Sequence, residues 1–130
     1  DGLYIFDGLT PKETAYFIMM SETLRFENGN IIMSEGDVSD NRAYLIESGS
    51  VDVHRHSTKI DSLHTGDVFG EMALIADEPR SATIIASTPT EVLVFNKEEF
   101  LMLCKKSGVY DDVKFKILKR VKDNFYDNKK

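Results

Sequence analysis

A small β-sandwich or jelly roll flanked by helices is the fold class this chain predicts. Three features predict it: a strongly capped helix start at Thr10, a middle of short apolar runs between glycine-centred turns, and a closing stretch that returns to helical spacing. The 130 residues suffice for one domain with a real core and not for two, so residues 1–130 read as a single unit. Apolar content of 42% beside 29% charged residues is ordinary for a globular chain.

At the first helix, Thr10 serves as N-cap, Pro11 takes the first helical position and Glu13 closes a capping box. Ala15, Phe17, Ile18 and Met19 supply its apolar content, and it ends near Ser21. The period then shortens to two. Leu24 and Phe26 alternate, Asn28-Gly29 predicts a tight hairpin turn, and Ile31-Ile32-Met33 follows. Glu35-Gly36-Asp37, Ser48-Gly49-Ser50 and Thr65-Gly66-Asp67 are turns, with strands at Ala43–Ile46, Val51–Val53 and Ile60–Leu63 between them. On the second of these, Val51 and Val53 point one way while Asp52, His54 and His56 point the other. Ala82–Ala86 and Val92–Phe95 are the last strands, so the β region spans about 22–96. Asn96 with Glu99 predicts a second capping box, opening a helix over about 97–106 that Lys105, Lys106 and Gly108 terminate. A last helix runs over about 110–126, with Val113, Ile117, Val121 and Phe125 forming one apolar stripe.

Charge and composition exclude several function classes. The net charge of −6 is uneven: residues 1–104 carry net −11 and residues 105–130 net +5. An acidic body argues against general nucleic-acid binding, and acidic residues interrupt the basic tail, which reads as a solvated helix face. No apolar run reaches the roughly 18 residues of a membrane span, and no signal peptide is visible. One cysteine, Cys104, rules out an internal disulfide; it sits in an apolar run as a small buried hydrophobe, and a reducing, cytoplasmic setting fits. The chain opens on Asp1 rather than Met, which fits an excised domain and leaves a removed targeting or membrane segment open.

The most informative run is Phe69-Gly70-Glu71-Met72-Ala73-Leu74-Ile75-Ala76-Asp77-Glu78-Pro79-Arg80-Ser81-Ala82-Thr83. It sets a carboxylate and a guanidinium nine positions apart around a segment that can coil into one or two helical turns. The small flanking residues Gly70, Ala73, Ser81 and Ala82 let a ligand approach the backbone, and a helix start offers N–H groups to an anion. Arginine forks onto phosphate oxygens, and a carboxylate accepts from sugar hydroxyls. The chemistry on offer is recognition of a phosphate joined to a ribose.

This run resembles the phosphate-binding cassette of cyclic nucleotide-binding domains: Phe-Gly-Glu, a small or apolar trio, a short loop, then Arg, a small residue and Ala. The resemblance extends from about Leu9 to about Tyr126, outside the cassette as a pattern of turns and apolar positions. It implies a β-roll or jelly roll (a double-stranded β-helix) with an N-terminal helix, an embedded cassette helix and two C-terminal helices. It also implies a ligand, cAMP or cGMP, rather than a cofactor. Carried over by position, Glu71 binds the ribose 2′-hydroxyl and Arg80 pairs with the cyclic phosphate. Phe69, Gly70, Met72 and Ala73 line the sugar-phosphate from one side, Ser81 and Ala82 from the other. Serine at position 81 leaves cAMP against cGMP open, with a lean to cAMP. Val53 and Leu63 occupy the positions where the family packs the purine, ordinary core being the competing reading; Asp61, a carboxylate beside the base, departs from the pattern and is not assigned. Phe125 or Tyr126 would act as a lid on the purine, the alternatives being a helix anchor or a homodimer contact through the last helix.

The resemblance thus implies a sensor module, not an enzyme, that rearranges its C-terminal helices on binding ligand and acts on an unidentified effector protein or fused domain. In transcription factors of the family a DNA-reading helix-turn-helix follows the last helix; the chain leaves no room for one, so direct DNA contact is not expected. Two alternatives differ in class. One is an interaction module of the same fold that binds no nucleotide. The other is a cupin-like metal enzyme using His54 and His56, disfavoured because Ser57-Thr58-Lys59-Ile60 supplies no glutamate ligand.

Overall fold

The computed structural model describes residues 2–121. Eight antiparallel strands form two four-stranded sheets. One sheet runs β1 (Glu22–Phe26), β8 (Thr90–Asn96), β3 (Arg42–Ser48), β6 (Val68–Phe69); the other runs β2 (Ile31–Met33), β7 (Thr83–Ala86), β4 (Ser50–Arg55), β5 (Thr58–His64). A 3-10 turn (Gly2–Phe6) and helices α1 (Pro11–Met19), α2 (Lys97–Lys106) and α3 (Tyr110–Val121) accompany the sheets. This is the β-roll with flanking helices.

The layer order explains the apolar runs in β3 and β8. Both strands are buried on two faces, so period-two alternation sorts their side chains between two cores rather than between core and water. Ala43, Leu45, Leu93 and Phe95 face the helices, joining Phe6, Phe17, Phe100 and Ile117. Tyr44, Ile46, Val92 and Val94 face the opposite sheet, joining Val51, Val53, Phe69 and Ile84. On the helical side the rings of Phe6, Phe17, Phe95 and Phe100 meet at centroid separations of 5.4–6.4 Å, mostly edge to face, the arrangement aromatic quadrupoles favour.

Local chemistry holds where the cap residues predict it. Thr10 Oγ1 accepts from the N–H of Glu13 at 3.1 Å, and the Glu13 carboxylate accepts from Thr10 N–H at 2.9 Å. At α2 the cap is one-sided: Asn96 Oδ1 accepts from the N–H of Glu98, in place of the two-way box its spacing with Glu99 predicts. In α1 only Phe17 is buried; Ala15 and Met19 face solvent, because a helix lying on the surface of the core buries one narrow stripe.

The Asn28-Gly29 turn forms but joins no hairpin. β1 pairs with β8, and β2 pairs with β7 in the other sheet, so the turn hands the chain from one layer to the next. Gly49 lies at φ +95°, where a Cβ would come within 2.4 Å of the Pro89 carbonyl oxygen, so only glycine fits between β3 and β4. The β4 register shifts between Val53 and His54, and His56 and Ser57 form the two-residue tip of the β4–β5 hairpin. His56 therefore leaves the strand face it would share with His54.

Candidate functional site

The cassette connects β6 to β7 through a short turn. Phe69 ends β6 in the inter-sheet core, stacked on Tyr44 at 5.0 Å. Gly70 then takes a left-handed conformation, φ 73°, and a Cβ there would lie 3.0 Å from Arg80 Nη1. The spacing predicts a helix of one or two turns; the structure has a four-residue 3-10 turn, Glu71–Leu74. Its Ala73 N–H returns to Gly70 O, so less of the anion chemistry rests on a helix start and more on Arg80.

Arg80 is 7% exposed. Its Nη2 donates to Asp40 Oδ1 at 2.6 Å and to the Arg42 carbonyl at 2.8 Å, and its Nη1 donates to Gly70 O at 3.3 Å. Its backbone is fixed by the turn before β3: Arg80 N–H donates to Asp37 O, and Gly36 N–H to Arg80 O, both at 2.8 Å. Behind Asp40 lies Arg42, which reaches Asp40 at 3.9 Å and Glu22 at 3.2 Å. Charges thus alternate from the buried arginine to the edge of β1.

Glu71 is 6% exposed. Its Oε2 accepts from the Tyr4 hydroxyl at 2.9 Å. Burial pushes its carboxyl above the usual carboxylate range, against the opposing pulls of its own backbone N–H, the Tyr4 bond and the Arg120 charge. Burial, and then the Glu71 charge, push the Tyr4 phenol well up. The Arg120 guanidinium stands 4.5 Å from the centre of the Tyr4 ring.

Glu71 and Arg80 line one hollow. Phe69, Gly70, Met72, Ala73, Ser81 and Ala82 line it too, so the cassette residues singled out in the sequence converge. Val53 and Leu63 do not: Val53 is fully buried in the inter-sheet core with Leu63 packed beside it. Met33 and Ile84 stand at the hollow instead, on β2 and β7. Asp61 is exposed. Phe125 and Tyr126 lie outside the described residues, while Val121, at the end of α3, lines the hollow and is buried. The hollow has a volume of about 40 Å³.

Sequence reasoning missed Tyr4, Ser39, Asp40 and Val121 as parts of this site. Tyr4 is 67 positions from Glu71 and Asp40 is 40 from Arg80, so no local spacing announces either contact.

The histidine pair offers nothing comparable. His56 is exposed, with its Nδ1 3.4 Å from Glu35, and among the described residues no three His, Cys, Asp or Glu side chains converge as a metal would need. No described helix is long and apolar enough to cross a membrane.

The model of the cyclic nucleotide-binding domain matches residues 23–107, two thirds of the chain and the whole of the hollow's cassette wall. The chain belongs to the cyclic nucleotide-binding domain family. The family is a regulatory, ligand-binding one rather than a catalytic one. The chain is 37% identical over 102 residues to a cGMP-dependent protein kinase of Plasmodium berghei, covering 78% of this chain and 12% of the kinase. It is 36% identical over 99 residues to a cAMP-dependent protein kinase regulatory subunit of Hypocrea atroviridis, covering 76% of this chain and 21% of that subunit. Among solved structures, the regulatory domain of Toxoplasma gondii PKA with cAMP superimposes at TM-score 0.76 with 28% identity, over 90% of this chain and 46% of that one. The chain therefore spans a small part of the curated relatives' length.

Proposed function

We propose that this cyclic nucleotide-binding domain takes cAMP in preference to cGMP in the cassette hollow and relays occupancy through α3 to an effector. The observation that carries the reading is the burial of Glu71 and Arg80 on one hollow between the sheets and α3. A carboxylate and a guanidinium are seldom buried unless partnered or functional, and these are the two groups that a cyclic phosphate and its ribose need.

In this reading the phosphate meets Arg80, which Asp40 and two carbonyls hold in place. The negative body of the chain opposes an anion, so the local charge of Arg80 supplies the attraction. The ribose 2′-hydroxyl donates to Glu71. Phe69, Gly70, Met72 and Ala73 flank the sugar-phosphate, with Ser81 and Ala82 opposite and Met33 and Ile84 as apolar wall. Val121 places the end of α3 where it must move, or be gripped, as ligand enters. Binding then biases two arrangements of α3 by no more than the ligand's difference in affinity for them. The curated relatives are a kinase and a kinase regulatory subunit, so a protein kinase, fused or separate, is the effector this reading favours. The cGMP alternative has two observations behind it, Ser81 at the hollow and the likeness to a cGMP-dependent protein kinase.

A thermal-shift series with cAMP, cGMP and 5′-AMP tests the reading. At 100 times its dissociation constant, cAMP should stabilise the fold by about 2.7 kcal/mol, with cGMP behind it and 5′-AMP without effect. A flat response to all three would favour the interaction module that binds no nucleotide.

A further inference from the structure

The phenol of Tyr4 reaches the hollow's carboxylate from the far end of the chain. Its hydroxyl donates to Glu71 Oε2 at 2.9 Å, and its ring lies under the Arg120 guanidinium at 4.5 Å. Three elements that are remote in sequence, the first 3-10 turn, the cassette turn and α3, thus meet at one side chain. All three are anchored in the helical core. Ile5 and Phe6 fix the first turn in the helical core; Val113, Ile117 and Val121 fix α3. Tyr4 is therefore held against Glu71 by packing on both sides, not by the hydrogen bond alone.

We propose that Tyr4 is a positioning residue for ribose recognition: by donating to Glu71 Oε2 it orients the carboxylate and keeps Oε1 an acceptor for the sugar hydroxyl. This rests on the ribose role of Glu71 proposed above. A carboxylate has about four acceptor sites, so the Tyr4 bond leaves capacity for a second donor. A buried carboxylate stripped of donors takes up a proton, and a protonated carboxyl no longer offers two equivalent acceptor oxygens. The phenol is suited to the task, since burial and the Glu71 charge hold its own proton in place. Arg120 favours the same charged state of Glu71 from α3. Of the other titratable groups near Glu71, Glu78 and Arg80 line the hollow, and Cys104 of α2 sits in the adjoining core with its thiol pushed up to about 11, hence neutral.

The test is calorimetry on the 130-residue chain with cAMP and with 2′-deoxy-cAMP, which lacks the hydroxyl that Glu71 would accept. Wild type should prefer cAMP. Tyr4→Phe should lose about tenfold in affinity for cAMP and bind 2′-deoxy-cAMP as wild type does. Its cAMP affinity should also begin to fall at a higher pH than the wild type's as the solution is acidified, because Glu71 without its donor protonates sooner. Arg120→Gln, which spares the hydroxyl, should show a smaller loss of the same ribose-dependent kind. Equal losses for both nucleotides in Tyr4→Phe, the mark of a merely structural residue, would overturn the proposal. So would a cAMP affinity left unchanged by Tyr4→Phe while wild type discriminates the two nucleotides. A wild type that binds neither would overturn the ribose reading along with it.

Discussion

A carboxyl as buried as Glu71 binds its proton more tightly in the folded chain than in the unfolded one. Between the ordinary value of 4.5 and the raised folded value, the folded state carries more protons than the unfolded state, so stability falls as pH rises through that window. The contribution is fully present below the unfolded pKa and lost above the folded one. Glu71→Gln removes this dependence while keeping an acceptor for Tyr4. At neutral pH it should melt above wild type, and the gap should close towards pH 4; differential scanning calorimetry across that range checks it. The same substitution should weaken nucleotide binding. Stability given up at a residue that a ligand needs is the trade expected of a functional site.

At the scale of elements, the β4–β5 hairpin carries avoidable strain. His56 and Ser57 both lie at positive φ, 51° and 66°, the pattern of a two-residue turn that favours Asn-Gly. His56 is tied by its N–H and its ring to Glu35, whereas Ser57 is exposed at the tip. Ser57→Gly should therefore stabilise the fold by about 0.5 kcal/mol, the left-handed cost relieved less the entropy glycine loses, read as a higher urea midpoint with unchanged slope. Elements of this kind show what the sequence discloses. Thr10-Pro11 and Asn96 announce their helices because capping is local, and the Gly36, Gly49 and Gly66 turns announce themselves because positive φ is local. Asn28-Gly29 misleads as to pairing because the same turn serves a hairpin or a crossover between layers, and only the partners β8 and β7 decide which. For Val53 and Leu63 a strand's inward face is legible, but in a roll inward can mean the core or the hollow, and the structure places both in the inter-sheet core. The Tyr4–Glu71 and Asp40–Arg80 contacts, spanning 67 and 40 positions, were not legible at all.

Over the whole molecule, Asp40, the turn before β3 and the carbonyls of Arg42 and Gly70 hold Arg80, while Glu71 and Val121 belong to the boundary where the helices lie on the roll. In the proposed function, a ligand that spans both charges bridges the roll and the helical part, and so has a handle on α3. That account stands or falls with Arg80. Calorimetric titration of cAMP into wild type and Arg80→Ala measures its central claim. Loss of the phosphate's counter-charge should cost about 2–5 kcal/mol, roughly 30- to several-thousand-fold in affinity; an Arg80→Ala chain that binds cAMP as tightly as wild type would contradict it.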